Sequence, residues 1–247
     1  MSVTMLGGGM PGVSPDDIAG LQAWWRSDIG VEEGPGDPAE DTDNVTKWLD
    51  QSGNSRDLAS GVSPQYLTGI VNGLPVLRFV NTSSEALSTV GHAMSTMITA
   101  SAGTVFMVLN VSLAGSGIFY ADDNISGQNA VAVDVDGAQD LRSINWDGSN
   151  DIIAKASSNG VWVVHTWIHS GGSVFSGVSD TRNASLASTP SGNTSVLTQV
   201  LNLGRSRGAF GSFDIAEMFI YNTVIVEADR QSLETRMGFK YGISLPY

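Results

Sequence analysis

From Leu74 to Tyr221 apolar and polar residues alternate in short runs separated by Gly, Asn, Asp and Ser. Period-two alternation sends successive side chains to opposite faces of an extended strand, and the interrupting residues are those that turn a chain. The candidate strands are PVLRFV, TVFMVLNV, GIFYA, AVAVDV, LRSINW, DIIAK, VWVVHTWIHS, SVFSGVS, QVLNLG and FDIAEMFIYN. Many short strands in one long domain predict an all-β fold, a two-sheet antiparallel jelly-roll sandwich, instead of alternating strands and helices. No internal repeat divides the pattern. The 247 residues suffice to bury a core without staples, and there is no cysteine to make one. The missing cysteine also removes thiolate metal sites and a cysteine nucleophile.

Both ends depart from the strand pattern. Residues 1–13 are glycine-rich and LGGGMPG cannot hold a regular element, so a short flexible arm is expected ahead of one domain at 14–247. SPDD reads as a short helical turn, with Ser14 as N-cap, Pro15 in the first helical position and Asp17 closing a capping box. LQAWWRSD then reads as a strand with Leu21, Ala23 and Trp25 on one face. Residues 32–44 are acidic and rich in Pro and Gly, which predicts a solvated loop, and residues 180–196 are expected to form another. The chain closes on one amphipathic α-helix, VEADRQSLETRMGFKYG, with Ala228, Leu233, Met237 and Tyr241 on one stripe and Gly242 at its end. Glu227 and Asp229 stand early and Arg236 and Lys240 late, an order that suits the helix dipole.

Charge limits the partners. Twelve Lys and Arg face 25 Asp and Glu, a net charge of −13, and the lysines are Lys47, Lys155 and Lys240. Nucleic acid is a poor partner for such a surface, because affinity there comes from neutralising phosphates. The first residues carry neither a basic nor a long apolar region of a signal peptide, and no run reaches the roughly 18 apolar residues of a membrane helix. Asn44, Asn81, Asn110, Asn124, Asn183 and Asn193 each begin an N-x-S/T triplet, which Ser- and Asn-rich turns explain without glycosylation.

KWLDQSGNSRDL, Lys47–Leu58, gathers a tryptophan, an acid, an amide, a hydroxyl and a glycine. Asp50, Ser52, Gly53 and Asn54 are turn chemistry, with Trp48 packing beneath, and the stretch is read as a structural corner over a ligand contact. Trp48, Asp50, Ser52, Gly53 and Asn54, followed by Asn72, Gly73, Pro75, Arg78 and Phe79, also make up a W-x-D-x-S-G-N and N-G-x-P-x-x-R-F pattern. With Ile215–Asn222, Lys240–Gly242 and LQAWWRSD, it resembles the concanavalin A-like lectin and glucanase superfamily, in particular laminin-G-like modules of bacterial and phage proteins. The likeness covers both ends of the domain, while residues 90–210 match only as generic β-sandwich. It implies a fold that hosts lectins, hydrolases and scaffolds alike.

Hydrolases of that superfamily carry acids at alternating strand positions facing one groove, and glycoside hydrolysis needs two carboxylates across a cleft. Asp134 and Asp136 share a face but lack a third acid, and Gly137 interrupts the strand. Asp214 and Glu217 are three apart, which in a regular strand sets them on opposite faces, so these acids are read as exposed on a solvated surface. DDNISG offers Asp122, Asn124, Ser126 and Gly127 in the order of a calcium loop, but Val133 occupies the position of the closing glutamate. A looser calcium site from Asp122, Asp123 and Asn124 and an ordinary polar hairpin tip are the alternatives there. His165 and His169 would form a zinc pair on a helix, but VVHTWIHS reads as a strand, where they stand two pleats apart. Trp162 and Trp167 fall on opposite faces of that strand, at least one in the core. Trp146, at a strand end beside Asp147, Asn150 and Asp151, offers a stacking surface next to amides and acids. It serves either a saccharide or the cover of a strand edge.

The reading that follows is a non-enzymatic module on a virion surface, a phage capsid decoration or tail protein with weak glycan binding. Capsid or tail proteins and a cell-surface glycan are its expected partners, and the oligomeric state is open, a homo-oligomer included. The alternatives are a dedicated carbohydrate-binding adhesin built on Trp146 and Asp122–Asn124 and, third, a glycoside hydrolase.

Overall fold

A computed structural model of the chain describes residues 13–99, 102–112, 117–122, 130–135, 140–146, 154–157, 160–170, 175–180, 200–206 and 209–245. All but Val13 of the expected arm, and all but Asp180 of the 180–196 loop, lie outside them.

A 3-10 turn at Pro15–Asp17 precedes β1 (Leu21–Arg26), β2 (Val31–Gly34), β3 (Asp37–Pro38) and β4 (Lys47–Trp48). Next come β5 (Leu58–Val62), β6 (Gln65–Val71), β7 (Leu74–Phe79), β8 (Ala86–Ala93) and β9 (Ala102–Val111). They are followed by β10 (Gly117–Asp122), β11 (Ala130–Val135), β12 (Asp140–Trp146), β13 (Ala154–Ser157) and β14 (Trp162–Ser170). The rest is β15 (Phe175–Asp180), β16 (Val200–Leu203), β17 (Arg205–Ser206), β18 (Ala209–Phe210), β19 (Phe213–Tyr221) and the helix α1 (Glu227–Tyr241). Ser14 N–H donates to the Asp17 carboxylate at 3.0 Å, the bond expected of that turn.

The strands form a β-sandwich of two antiparallel sheets, with β17 and β18 paired apart as a two-stranded sheet. One runs β15-β14-β9-β19-β7-β6, with β1 pairing to the far end of β19, and the other runs β13-β12-β11-β10-β16-β8-β5-β4-β2-β3. Between them lies a core that includes Trp25, Trp48, Phe79, Met107, Leu109, Trp167, Leu203, Phe213 and Met218. The central strand β9 is buried on both sides: Val105, Met107 and Leu109 face the second sheet, while Phe106 and Val108 face α1. Double burial is why it reads as one apolar run. α1 covers the outer face of the first sheet, where Leu233, Met237 and Tyr241 pack with Phe106, Phe219 and Tyr221. Full burial of Leu233 and Met237 is worth roughly 1.5–3 kcal/mol each.

Three expectations change in the structure. Leu21 is not on the face of Ala23 and Trp25, because the pairing to β19 shifts register between Leu21 and Ala23 and turns Leu21 to the helix side. Residues 32–44 are not all loop, since β2 and β3 form a hairpin at the end of the second sheet. Ala228 is exposed, because the inward face of α1 carries Arg230, Glu234, Arg236 and Lys240 beside Leu233, Met237 and Tyr241. Gly242 ends the helix as expected, at φ 67°.

Candidate functional site

The Lys47–Leu58 corner is held by its own polar groups. Asp50 accepts from the backbone N–H of Trp24 at 2.9 Å, Ser52 at 2.9 Å and Arg56 at 3.0 Å, and from the Ser52 hydroxyl at 2.8 Å. Asn54 Nδ2 donates to Gln22 O at 3.0 Å, and the Arg56 guanidinium reaches Gln22 O at 2.6 Å and Thr96 O at 3.0 Å. Trp48 is fully buried beneath, its indole N–H on Arg26 O at 2.8 Å. Gly53 takes φ 83°, a region that favours glycine. The corner pins the β4–β5 connection onto β1, with its hydrogen-bonding groups turned to the protein's own backbone.

Asp214 and Glu217 are not on opposite faces, nor are they solvated. A β-bulge in β19 inserts one residue between Ile215 and Glu217, so Asp214 pairs with Asn110 and Glu217 with Val108 on β9. Asn110 and Val108 are two apart, so both acids share the helix-side face. Asp214 meets Arg78 in a two-pronged pair with both bonds at 2.7 Å. Glu217 is fully buried. Its Oε1 accepts from Trp24 Nε1 at 2.7 Å and Arg236 at 3.1 Å, and its Oε2 from Lys240 Nζ at 3.0 Å and the Tyr241 hydroxyl at 2.8 Å. Lys240 also reaches Asp28 at 3.2 Å, and Asp28 pairs with Arg26. The Arg26 and Arg236 guanidiniums lie over the Trp24 ring, 5.2 and 5.4 Å from its centroid.

Burial alone would push the Glu217 carboxyl up, but the charges of Lys240 and Arg236 and the Trp24 hydrogen bond hold it below the usual carboxylate range. Burial, and then the neighbouring Glu217 charge, pushes the Tyr241 phenol well above its ordinary value. A tyrosine beside a glutamate can act as a nucleophile only if the phenol is easily ionised and open to substrate. This pair is neither, and the cluster clamps α1 to the sheet. Sequence reasoning missed it. The signal was a glutamate inside the apolar run IAEMFIY, matched by Arg236 and Lys240 on the turns that carry Met237 and Tyr241.

Backbone register brings the other candidates together. Asp122 ends β10 and pairs with Ala130; Ala130 in turn pairs with Trp146, which ends β12. Asp122 and Trp146 thus stand in one row across three strands, at the same end of the second sheet. Asp123, Asn124, Asp147 and Asn150, and Asp136 of the paired-acid candidate, lie outside the described residues. Among the described residues no three His, Asp or Glu are grouped to hold a metal.

His165 and His169 lie on β14, a strand as expected. His165 is buried between the sheets with Asp180 opposite it in register. Trp167 is core, and Trp162, half-buried, packs on the helix side.

One open cleft of about 570 Å³ lies where the β6–β7 turn, the start of β14 and the end of α1 meet. Ile70, Val71, Asn72, Val161, Trp162 and Ile243 line it, with Tyr241, Gly242 and Ser244. Asn72 Nδ2 donates to Lys240 O at 2.9 Å and fixes the turn against the helix end. No described helix is long and apolar enough to cross a membrane.

Neither a protein-family model nor a curated protein matches the sequence. Solved structures do match. Trypanosoma rangeli sialidase in complex with sialic acid superposes with a TM-score of 0.59 at 9% identity, over 97% of this chain and 37% of the sialidase. The binding domain of botulinum neurotoxin DC in complex with SialylT gives 0.55 at 8%, over 87% of this chain and 51% of that domain. An arabinofuranosidase complexed with arabinofuranosyl-alpha-1,2-xylobiose gives 0.56 at 11%, over 89% of this chain and 58% of that one. The chain therefore spans about a third to three fifths of the proteins it matches. The expectation of a non-enzymatic module does not stand, because sialidase and arabinofuranosidase are enzymes that share this fold. The chain shares its β-sandwich fold with these three proteins.

Proposed function

We propose that the chain is a carbohydrate-recognising β-sandwich that holds sugar at the end of the second sheet where β10 and β12 finish. The observation that carries this reading is the register. Asp122 and Trp146, singled out separately as an oxygen ligand and a stacking surface, stand on either side of Ala130. A sugar ring presents an apolar face and a rim of hydroxyls, so an indole and an oxygen cluster are complementary halves of its recognition. In this reading Trp146, Asp147 and Asn150 contact the sugar, and Asp122, Asp123 and Asn124 hold a calcium ion beside it. Sugar-bound proteins of the same fold support it. Holding a sugar is the step that a binding domain and a glycosidase share, so the same site serves either.

A glycan array run with calcium and again with EDTA tests the reading. A saturable, EDTA-sensitive component of binding that disappears in Trp146→Ala is expected, and silence in both buffers overturns the reading. Hydrolysis of the bound glycans, followed on the same protein, separates capture from cleavage.

The finer placement, a laminin-G-like module of phage type attached to capsid or tail proteins on a virion surface, is supported by the sequence resemblance. Co-sedimentation of the chain with particles from a lysed culture is the expected result. Recovery only as free protein overturns that placement.

A further inference from the structure

We infer that the cleft between the β6–β7 turn and the end of α1 is a second saccharide site, selective for neutral sugars and independent of calcium. It rests on the reading that the chain recognises carbohydrate, but not on the row of Asp122 and Trp146.

Among the described residues the lining contains no Asp, Glu, Lys, Arg or His, in a chain of net charge −13. Lys240, next in sequence to the cleft, turns its ammonium to Glu217 and Asp28. Tyr241 lines the cleft, but its hydroxyl is engaged by Glu217 at 2.8 Å. A sugar bearing a carboxylate or sulfate would lose water there without meeting a counter-charge, which is costly. A neutral sugar meets what it needs. Trp162, Ile70, Val161 and Ile243 offer apolar surface to its C–H face, and Asn72 and Ser244 offer polar groups to its hydroxyls.

The cleft has a built shape. Asn72 holds φ 49° and is tied to the Lys240 carbonyl. Gly242, at φ 67°, lacks the side-chain carbon that would stand 3.4 Å from Asn72 Oδ1. The amide oxygen thus faces a space that any other residue would narrow. Ile70 and Val161 remain 40% and 49% exposed at the rim, apolar surface in place for a ligand to cover. The volume of about 570 Å³ falls in the range of small-molecule sites.

The test titrates the full chain, with calcium and again in EDTA, with neutral oligosaccharides and with sialylated and uronic-acid counterparts. Val161→Glu and Ile70→Asp change exposed positions, and a thermal melt of each verifies that the fold is intact. Neutral binding that survives EDTA and Trp146→Ala, and falls at least tenfold in both rim variants, is expected. Neutral binding unchanged in both rim variants, or binding of anionic sugars alone, overturns the inference. EDTA-sensitive binding lost in Trp146→Ala, with nothing surviving EDTA, overturns it too but leaves the carbohydrate reading standing. Silence toward every sugar in both buffers sinks that reading as well.

Discussion

Glu217 and Lys240 form an ion pair at 3.0 Å with side chains 0% and 5% exposed, joining β19 to α1. Taking two charges out of water is costly, and the pair persists because Trp24, Arg236 and Tyr241 saturate the carboxylate. Glu217→Ala leaves Lys240 and Arg236 buried with their shared anion gone, and is expected to cost about 3–5 kcal/mol of stability in chemical denaturation. Lys240→Met leaves Arg236 on the carboxylate and should cost less. A Glu217→Ala loss below about 1 kcal/mol would show that the cluster contributes little to docking the helix.

The same cluster sets an acid limb. Burial would raise the carboxyls of both Glu217 and Asp28, yet Lys240 and Arg236 around the first, and Arg26 and Lys240 around the second, hold them low. A depressed folded-state pKa means the unfolded chain binds protons first as pH falls. The stabilisation is complete above the unfolded carboxylate value of about 4 and is lost as pH drops through the lower folded values. Urea denaturation at several pH values below neutral should show wild-type stability falling in that acid range. In Glu217→Gln the fall should be shallower, and an identical slope would place the proton uptake elsewhere.

Asp50 should matter to stability more than to binding. Asp50→Ala strands the N–H groups of Trp24, Ser52 and Arg56, and the loss should be at least about 1–3 kcal/mol, the cost of one buried donor left unpaired. Asp50→Asn keeps one acceptor oxygen and should fall between. Thermal melts measure the loss, and sugar titrations of the folded variant should match wild type. A variant that melts normally but loses sugar binding would make the corner a ligand contact after all.

The sandwich was legible because half-buried strands alternate, and the closing helix because its charges, apolar stripe and Gly242 agree. Leu21 and Glu217 were misread for one shared reason. A bulge adds a residue that no alternation pattern reveals, and every side chain beyond it changes face. Arg236 and Lys240 fit the helix dipole so well that their second role, neutralising a buried glutamate, left no separate trace. The row of Asp122 and Trp146 could not be read from the chain either. Those residues are 24 positions apart, and only the pairing of β11 with both neighbours sets them in one row, on either side of Ala130.

Gly204, just after β16 of the second sheet, sits tightly against Phe79 of the first. Its φ is 96°, and a side-chain carbon there would lie 2.5 Å from Glu85 O and 2.6 Å from Phe79 Cδ1. Phe79 cannot retreat freely, because it stacks on Phe213 at 4.6 Å between the sheets. Gly204 N–H is itself bonded to Ile118 O at 2.7 Å and its carbonyl to Gly211 N–H at 2.9 Å, so the backbone is held as well. Gly204→Ala is therefore expected to cost roughly 2–5 kcal/mol, backbone strain and overpacking together. Gly36 provides the control: at φ 75°, with nothing within 4 Å, Gly36→Ala carries the backbone cost alone. Denaturation of the two variants should separate them by at least about 1 kcal/mol, the lower end of an overpacking cost. Equal losses would mean that Phe79 and the Glu85 backbone yield to the added carbon, and that this part of the core is looser than its geometry implies.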